Sequence, residues 1–193
     1  MRLAMPQKGF SLLELLVSLV VFSIGLLGIA GLQMMSKQAS YEGIQRTLAS
    51  QVANGLLEDM RTNGSGISVY TAANDLGGGS LAGLPVSSCR DPDTPCTPAQ
   101  KAVHDLSHWE QLVDGDREMG AEGATGGVLE PTVCIDGPAG GVAGVYSVSV
   151  SWRGGVELAN PELSQCGVGT GKYGANDAYR RVITVSTFID PTL

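Results

Sequence analysis

The sequence predicts an α+β protein in which one long N-terminal helix packs on a small antiparallel sheet. Three observations predict it. Residues 10–35 form a dense apolar block, Ile44, Leu48, Val52, Leu56 and Met60 recur every fourth residue, and Tyr146, Val148, Val150 and Trp152 alternate with Ser147, Ser149 and Ser151. The first two patterns are helical and the third has the two-residue period of a half-buried strand. At 193 residues the chain has room for one domain and one extra element.

The N-terminal block is ordered in a specific way. A leader, Met1–Gly9, carries Arg2 and Lys8 and is followed by Phe10-Ser11-Leu12-Leu13-Glu14. After Glu14 no charged side chain appears until Lys37, which leaves 22 uncharged residues. As a helix they span ~33 Å, enough for a bilayer core, so residues 12–36 are expected to cross a membrane. The two leader cations would hold the front end in the cytoplasm, with everything after Lys37 outside it.

Glu14 needs an explanation, because a lone carboxylate near the bilayer centre costs about 2.5–3.5 kcal/mol on insertion scales and correspondingly less near one end. Cutting between Gly9 and Phe10 would create an α-amino group one helical turn before Glu14, or on a neighbouring helix, and the two charges could neutralise each other. An ordinary secretory signal cut near Gly28 and Ala30, or a plain single-pass anchor, leaves Glu14 unexplained. A lipoprotein signal fails because no cysteine lies near the block. Gly25, Gly28 and Gly31 weaken the helix but permit close helix contacts; an unbroken helix is the expectation.

Beyond Lys37 the four-residue spacing, with Ala49, Ala53 and Leu57 beside it, predicts an amphipathic continuation. Gln45, Arg46, Gln51, Asn54, Glu58 and Arg61 are assigned to its other faces, and Asn63-Gly64-Ser65-Gly66 ends it. The organisation expected is therefore a leader at 1–9, a helix at 10–62 and a globular domain at 63–193. Thr71–Pro85 is glycine-rich and aperiodic, so it reads as loop. Thr97-Pro98-Ala99-Gln100 has the residues of a capping box with proline at the first helical position. A short helix should follow with Val103, Leu106, Trp109 and Val113 inward, ending at Asp114-Gly115. Two further strands are expected at Val182–Ile189, read as the more fully apolar, and at Val128–Ile135.

The net charge of −7 excludes a phosphate-gripping nucleic-acid surface. Loss of Arg2 and Lys8 would leave 10 positive against 19 negative side chains, a net of −9. The even set of cysteines downstream of the apolar block, Cys89, Cys96, Cys134 and Cys166, fits two disulfides in an oxidising compartment. Three pairings are open; the turn-forming stretch between Cys89 and Cys96 favours that short loop, with Cys134 joined to Cys166.

No pattern supports an enzyme, a metal site or a cofactor. His104 and His108 have a metal-compatible spacing, but Asp105 stands where a zincin has glutamate and no third ligand is evident. The pairs Asp91/Asp93 and Asp114/Asp116 read as acidic turns rather than calcium ligands. Neither Gly77-Gly78-Gly79 nor Gly167–Lys172 has the spacing of a phosphate loop, and no nucleophile elbow occurs.

The run Lys8-Gly9-Phe10-Ser11-Leu12-Leu13-Glu14 and the apolar stretch to Leu32 resemble the class III signal of type IV prepilins. That resemblance implies the pilin-like version of the α+β fold, cleavage after Gly9 by a prepilin peptidase, N-methylation of Phe10, and a docking role for Glu14 in a filament. Many major pilins have proline at the twenty-second mature position; Gly31 stands there, which favours a minor subunit. Arg46-Thr47-Leu48-Ala49, Leu56–Asn63, Asp105–Trp109 and Tyr146–Arg153 resemble the PilV group of minor pilins. The group implies partners among other minor pilins, the major pilin and a tip adhesin, a start in the inner membrane with the domain periplasmic, and a final place in the pilus. It implies a part in priming assembly, twitching motility and adhesion. A minor pseudopilin of type II secretion shares the same N-terminal logic, and a membrane-tethered surface binding protein is the other reading.

Overall fold

The computed structural model describes residues 9–73, 75–81, 89, 93–116, 119–120, 123–124, 126–162 and 164–192. Arg2 and Lys8, and Asp91 of the first acidic pair, lie outside them. The chain divides into two compact units, Met1–Tyr41 and Glu42–Leu193.

Helix α1 runs Leu12–Thr62 without interruption through Gly25, Gly28 and Gly31. Every residue from Gly9 to Tyr41 is exposed. From Gln45 on, α1 contributes Ala49, Val52, Ala53, Leu56, Leu57 and Met60 to the core of the second unit. The buried face differs from the expected stripe at its start, where Ile44 is exposed and Gln45 is buried. A strict four-residue repeat drifts about 40° per step on a helix of 3.6 residues per turn, so its early members rotate off the face. Gln45 is satisfied there: its Nε2 donates to Gly127 O at 3.4 Å, and its Oε1 accepts from Leu129 N at 2.8 Å.

After Thr62 come a 3-10 turn, Gly64–Gly66, and a short helix α2, Ile67–Ala72. The expected loop thus starts later than Thr71. Two buried side chains of α2, Ile67 and Tyr70, anchor it, and six residues are too few to show a period in sequence. Helix α3, Pro98–Asp114, has the capping box of Thr97 and Gln100, with Pro98 at its start and Gly115 left-handed at its end.

A two-residue hairpin, β1 (Met119–Gly120) with β2 (Gly123–Ala124), precedes the main sheet. That sheet has order β3-β4-β5, all antiparallel, with β3 at Thr132–Asp136, β4 at Gly144–Arg153 and β5 at Arg180–Ile189. Val133, Ile135, Tyr146, Val148, Val150 and Trp152 join the α1 and α3 residues in one core. This is the expected α+β architecture.

Two details of the sheet differ from expectation. Strand β5 is an edge strand, and alternate residues, including Phe188, are exposed. It is apolar in composition but covered on one face only. Conversely, Ser149 and Ser151 on the opposite face of β4 are buried. Ser151 Oγ donates to Cys166 O at 2.7 Å and Ser164 Oγ to Ser149 Oγ at 3.2 Å, so the segment around Cys166 closes over that end of the sheet. Hydropathy reads a serine as solvent-facing; here each hydroxyl has a protein partner, which removes the cost of burial.

Candidate functional site

Gly9 and Phe10 precede α1 without regular structure, and both are exposed. The first helical bonds run from the amides of Glu14 and Leu15 to Ser11 O, at 3.0 and 3.3 Å. Glu14 therefore sits in the first turn, where a carboxylate complements the positive end of the helix dipole. No ion pair involves Glu14 among the described residues. The Phe10 nitrogen is a backbone amide in this chain and carries no charge.

The glycines of this unit have no reason for being glycine within their own chain. A Cβ added at Gly9, Gly25, Gly28 or Gly31 would meet nothing within 4 Å. Contrast Gly55, where an added Cβ would overlap the Trp109 ring. That close approach lets Trp109 lie on α1 and donate its Nε1–H to Asp59 Oδ2 at 2.6 Å.

In the second unit, polar side chains that sequence reading passed over hold the loops. Two carboxylates at the end of α3 clamp the glycine-rich segment. Glu110 accepts from Gly77 N at 3.1 Å, from Leu81 N at 2.8 Å and from Ser80 Oγ, while Asp114 accepts from Gly78 N and Gly79 N at 2.7 and 2.9 Å. Asp114 is thus occupied by backbone amides. The signal was present in sequence: acidic residues at i and i+4 in the last turns oppose the helix dipole unless donors compensate them. A second cluster joins α2 to α3, with Tyr70 OH donating to Asp105 Oδ2 and Lys101 Nζ pairing with the same oxygen, both at 2.5 Å. Burial, then the bond to Asp105, pushes the Tyr70 hydroxyl far above its ordinary pKa. Asp105 and Glu110 are buried while Val103 and Trp109 are only half-buried, so the inner face of α3 is more polar than expected.

Arg180 is the third hub. It is completely buried and donates to Asn160 Oδ1, Cys166 O and Ser164 O, each at 2.8 Å, and to Pro161 O. The same segment is tied by a disulfide, Cys134–Cys166; a second joins Cys89–Cys96. Nε, Nη1 and Nη2 of one guanidinium thus organise the loop that covers the sheet. His104 Nδ1 lies 3.7 Å from Asp105 Oδ1, and His108 packs edge-on to Trp109 with ring centroids 5.7 Å apart. Among the described residues no group of three potential metal ligands occurs.

The only element with the length and composition to cross a membrane among the described residues is α1. Comparison with known families places the prokaryotic N-terminal methylation motif on residues 4–30 and the family of type IV pilin Tt1218 on residues 31–107. No curated protein and no solved structure matches. The two family matches adjoin, and together they cover Gly9, Phe10, Glu14, all of α1 and most of α3. The chain belongs to the type IV pilins.

Proposed function

We propose that this chain is a minor pilin of the PilV group, made as a membrane-inserted precursor and built into a pilus at or near its tip. A prepilin peptidase removes residues 1–9 and N-methylates Phe10. The helix at 10–62 then docks the subunit, and the domain at 63–193 faces the periplasm and later the cell exterior. Other minor pilins, the major pilin and a tip adhesin are its partners in priming assembly, and twitching motility and adhesion follow from it.

One observation carries this reading: Glu14 is the single charge in the first 25 helical residues of α1, Leu12–Ser36, and it sits one turn from the peptide bond at Gly9–Phe10. In a membrane that charge is a liability until the bond is cut. Cleavage supplies a cation in cis or on an adjacent subunit, which couples processing to assembly. Gly31, in place of the proline common in major pilins, and a helix unbroken there favour a minor subunit.

The test is Glu14→Ala in the full chain. Mass spectrometry should still find N-methylated Phe10 as the first residue, while the protein disappears from sheared filaments, by about tenfold or more if the ion pair is worth more than ~1.4 kcal/mol. Incorporation equal to the unmodified chain would end the assembly reading; a mature terminus elsewhere would end the processing scheme.

A further inference from the structure

A groove of about 430 Å³ opens in the second unit between the start of its helical part and the end of the sheet. Its wall includes Glu42, Arg46, Trp152, Leu158, Pro161 and Arg181. The size falls in the range of small-ligand sites. Trp152 and Arg181 are cross-strand partners in the β4–β5 register, which sets an indole and a guanidinium side by side.

The polar groups here are unevenly satisfied. Glu42 Oε1 accepts from Gly155 N at 2.7 Å and lies 3.9 Å from Arg181 Nη2, which in turn donates to Val156 O at 2.7 Å. Arg46 is exposed and has no partner among the described residues. Trp152 is 4% exposed, and its Nε1 is the buried side-chain polar atom that lacks a hydrogen bond among the described residues. A buried donor without an acceptor is destabilising, and it is an N–H that an oxyanion would relieve. Two guanidinium groups against one carboxylate make the groove cationic in a chain of net charge −7.

We propose that this groove binds a carboxylate carried on a short apolar stem. Arg46 takes one carboxylate oxygen through its guanidinium fork, and the Trp152 N–H takes the other once a lining side chain turns away from it. Leu158 and Pro161 hold the stem. A planar fork and a single N–H donor suit a planar carboxylate. The carboxylate comes either from a free organic acid or from an acidic side chain of a polypeptide. The inference does not depend on how the N-terminus is processed.

The experiment uses the full chain in lipid nanodiscs with ¹⁵N-labelled indoles. Trp109, already bonded to Asp59, serves as the internal reference beside Trp152. Titration with N-acetylglutamate α-amide, whose single carboxylate is on its side chain, should move the Trp152 N–H resonance saturably and leave that of Trp109 in place. N-acetylglutamine α-amide, the neutral isostere, should not. Arg46→Gln, at an exposed site, should weaken binding about tenfold or more. An unmoved Trp152 resonance, an equal response to N-acetylglutamine α-amide, or undiminished binding by Arg46→Gln would each overturn the proposal. A capped Gly-Glu-Gly peptide separates the sources: tighter binding than N-acetylglutamate α-amide assigns the site to a polypeptide, and equal or weaker binding assigns it to a free acid.

Discussion

Leu19 and Leu56 lie on the same helix, yet one is 65% exposed and the other fully buried. The first belongs to a unit in which no side chain from Phe10 to Tyr41 is buried, and the second to a unit with a core drawn from α1, α2, α3 and the sheet. An apolar surface that the chain leaves uncovered must be covered by lipid or by other helices. The same residue type therefore carries stability in one unit and external affinity in the other.

That contrast can be broken or sharpened by substitution. The largest effect is expected for Arg180→Met, which leaves the carbonyls of Pro161 and Ser164 without their donor; we expect a loss of about 3–5 kcal/mol in denaturant unfolding. Leu56→Ala should cost about 3 kcal/mol by the same measurement, because it empties a packed site. Alkaline unfolding should come next. Burial pushes the Tyr173 hydroxyl up to about 12, outweighing its hydrogen bond to Thr132 and the positive charge of Arg180. Its raised pKa means that the stability it contributes is complete below about pH 10 and is lost as pH rises through about 12, roughly 2–3 kcal/mol in all. Tyr173→Phe should flatten that part of the pH–stability curve. Smallest of all, Leu19→Ala should shift unfolding of the second unit by less than about 0.5 kcal/mol. A shift comparable to that of Leu56→Ala would show that the two units are not energetically separate.

The two regions also differed in how much could be read in advance. The anchor, Glu14, the capping box at Thr97 and the β4 alternation follow from local patterns, because a period or a cap involves residues within a few positions of each other. The pairing of Cys89 with Cys96 is of the same kind, since turn-forming residue types lie between them in the sequence. What escaped reading is non-local. Arg180 binds residues 14–20 positions away, Glu110 holds a segment 29–33 positions before it, and Gln45 reaches across 82 and 84. Each is a polar residue whose burial is tolerable only because a distant backbone supplies its partner, and no local period encodes that. The edge position of β5 escaped for a related reason: an apolar composition does not reveal whether one face or both will be covered.

The bond between Cys134 and Cys166 has a consequence for proteolysis. Residues 155–159 form an exposed stretch inside the 32-residue span that it closes. A cut there would separate the polypeptide into two pieces, one carrying β3 and β4 and the other carrying β5. The pieces would stay covalently joined and paired strand to strand. Shedding of the C-terminal piece then requires a reductant as well as a peptidase.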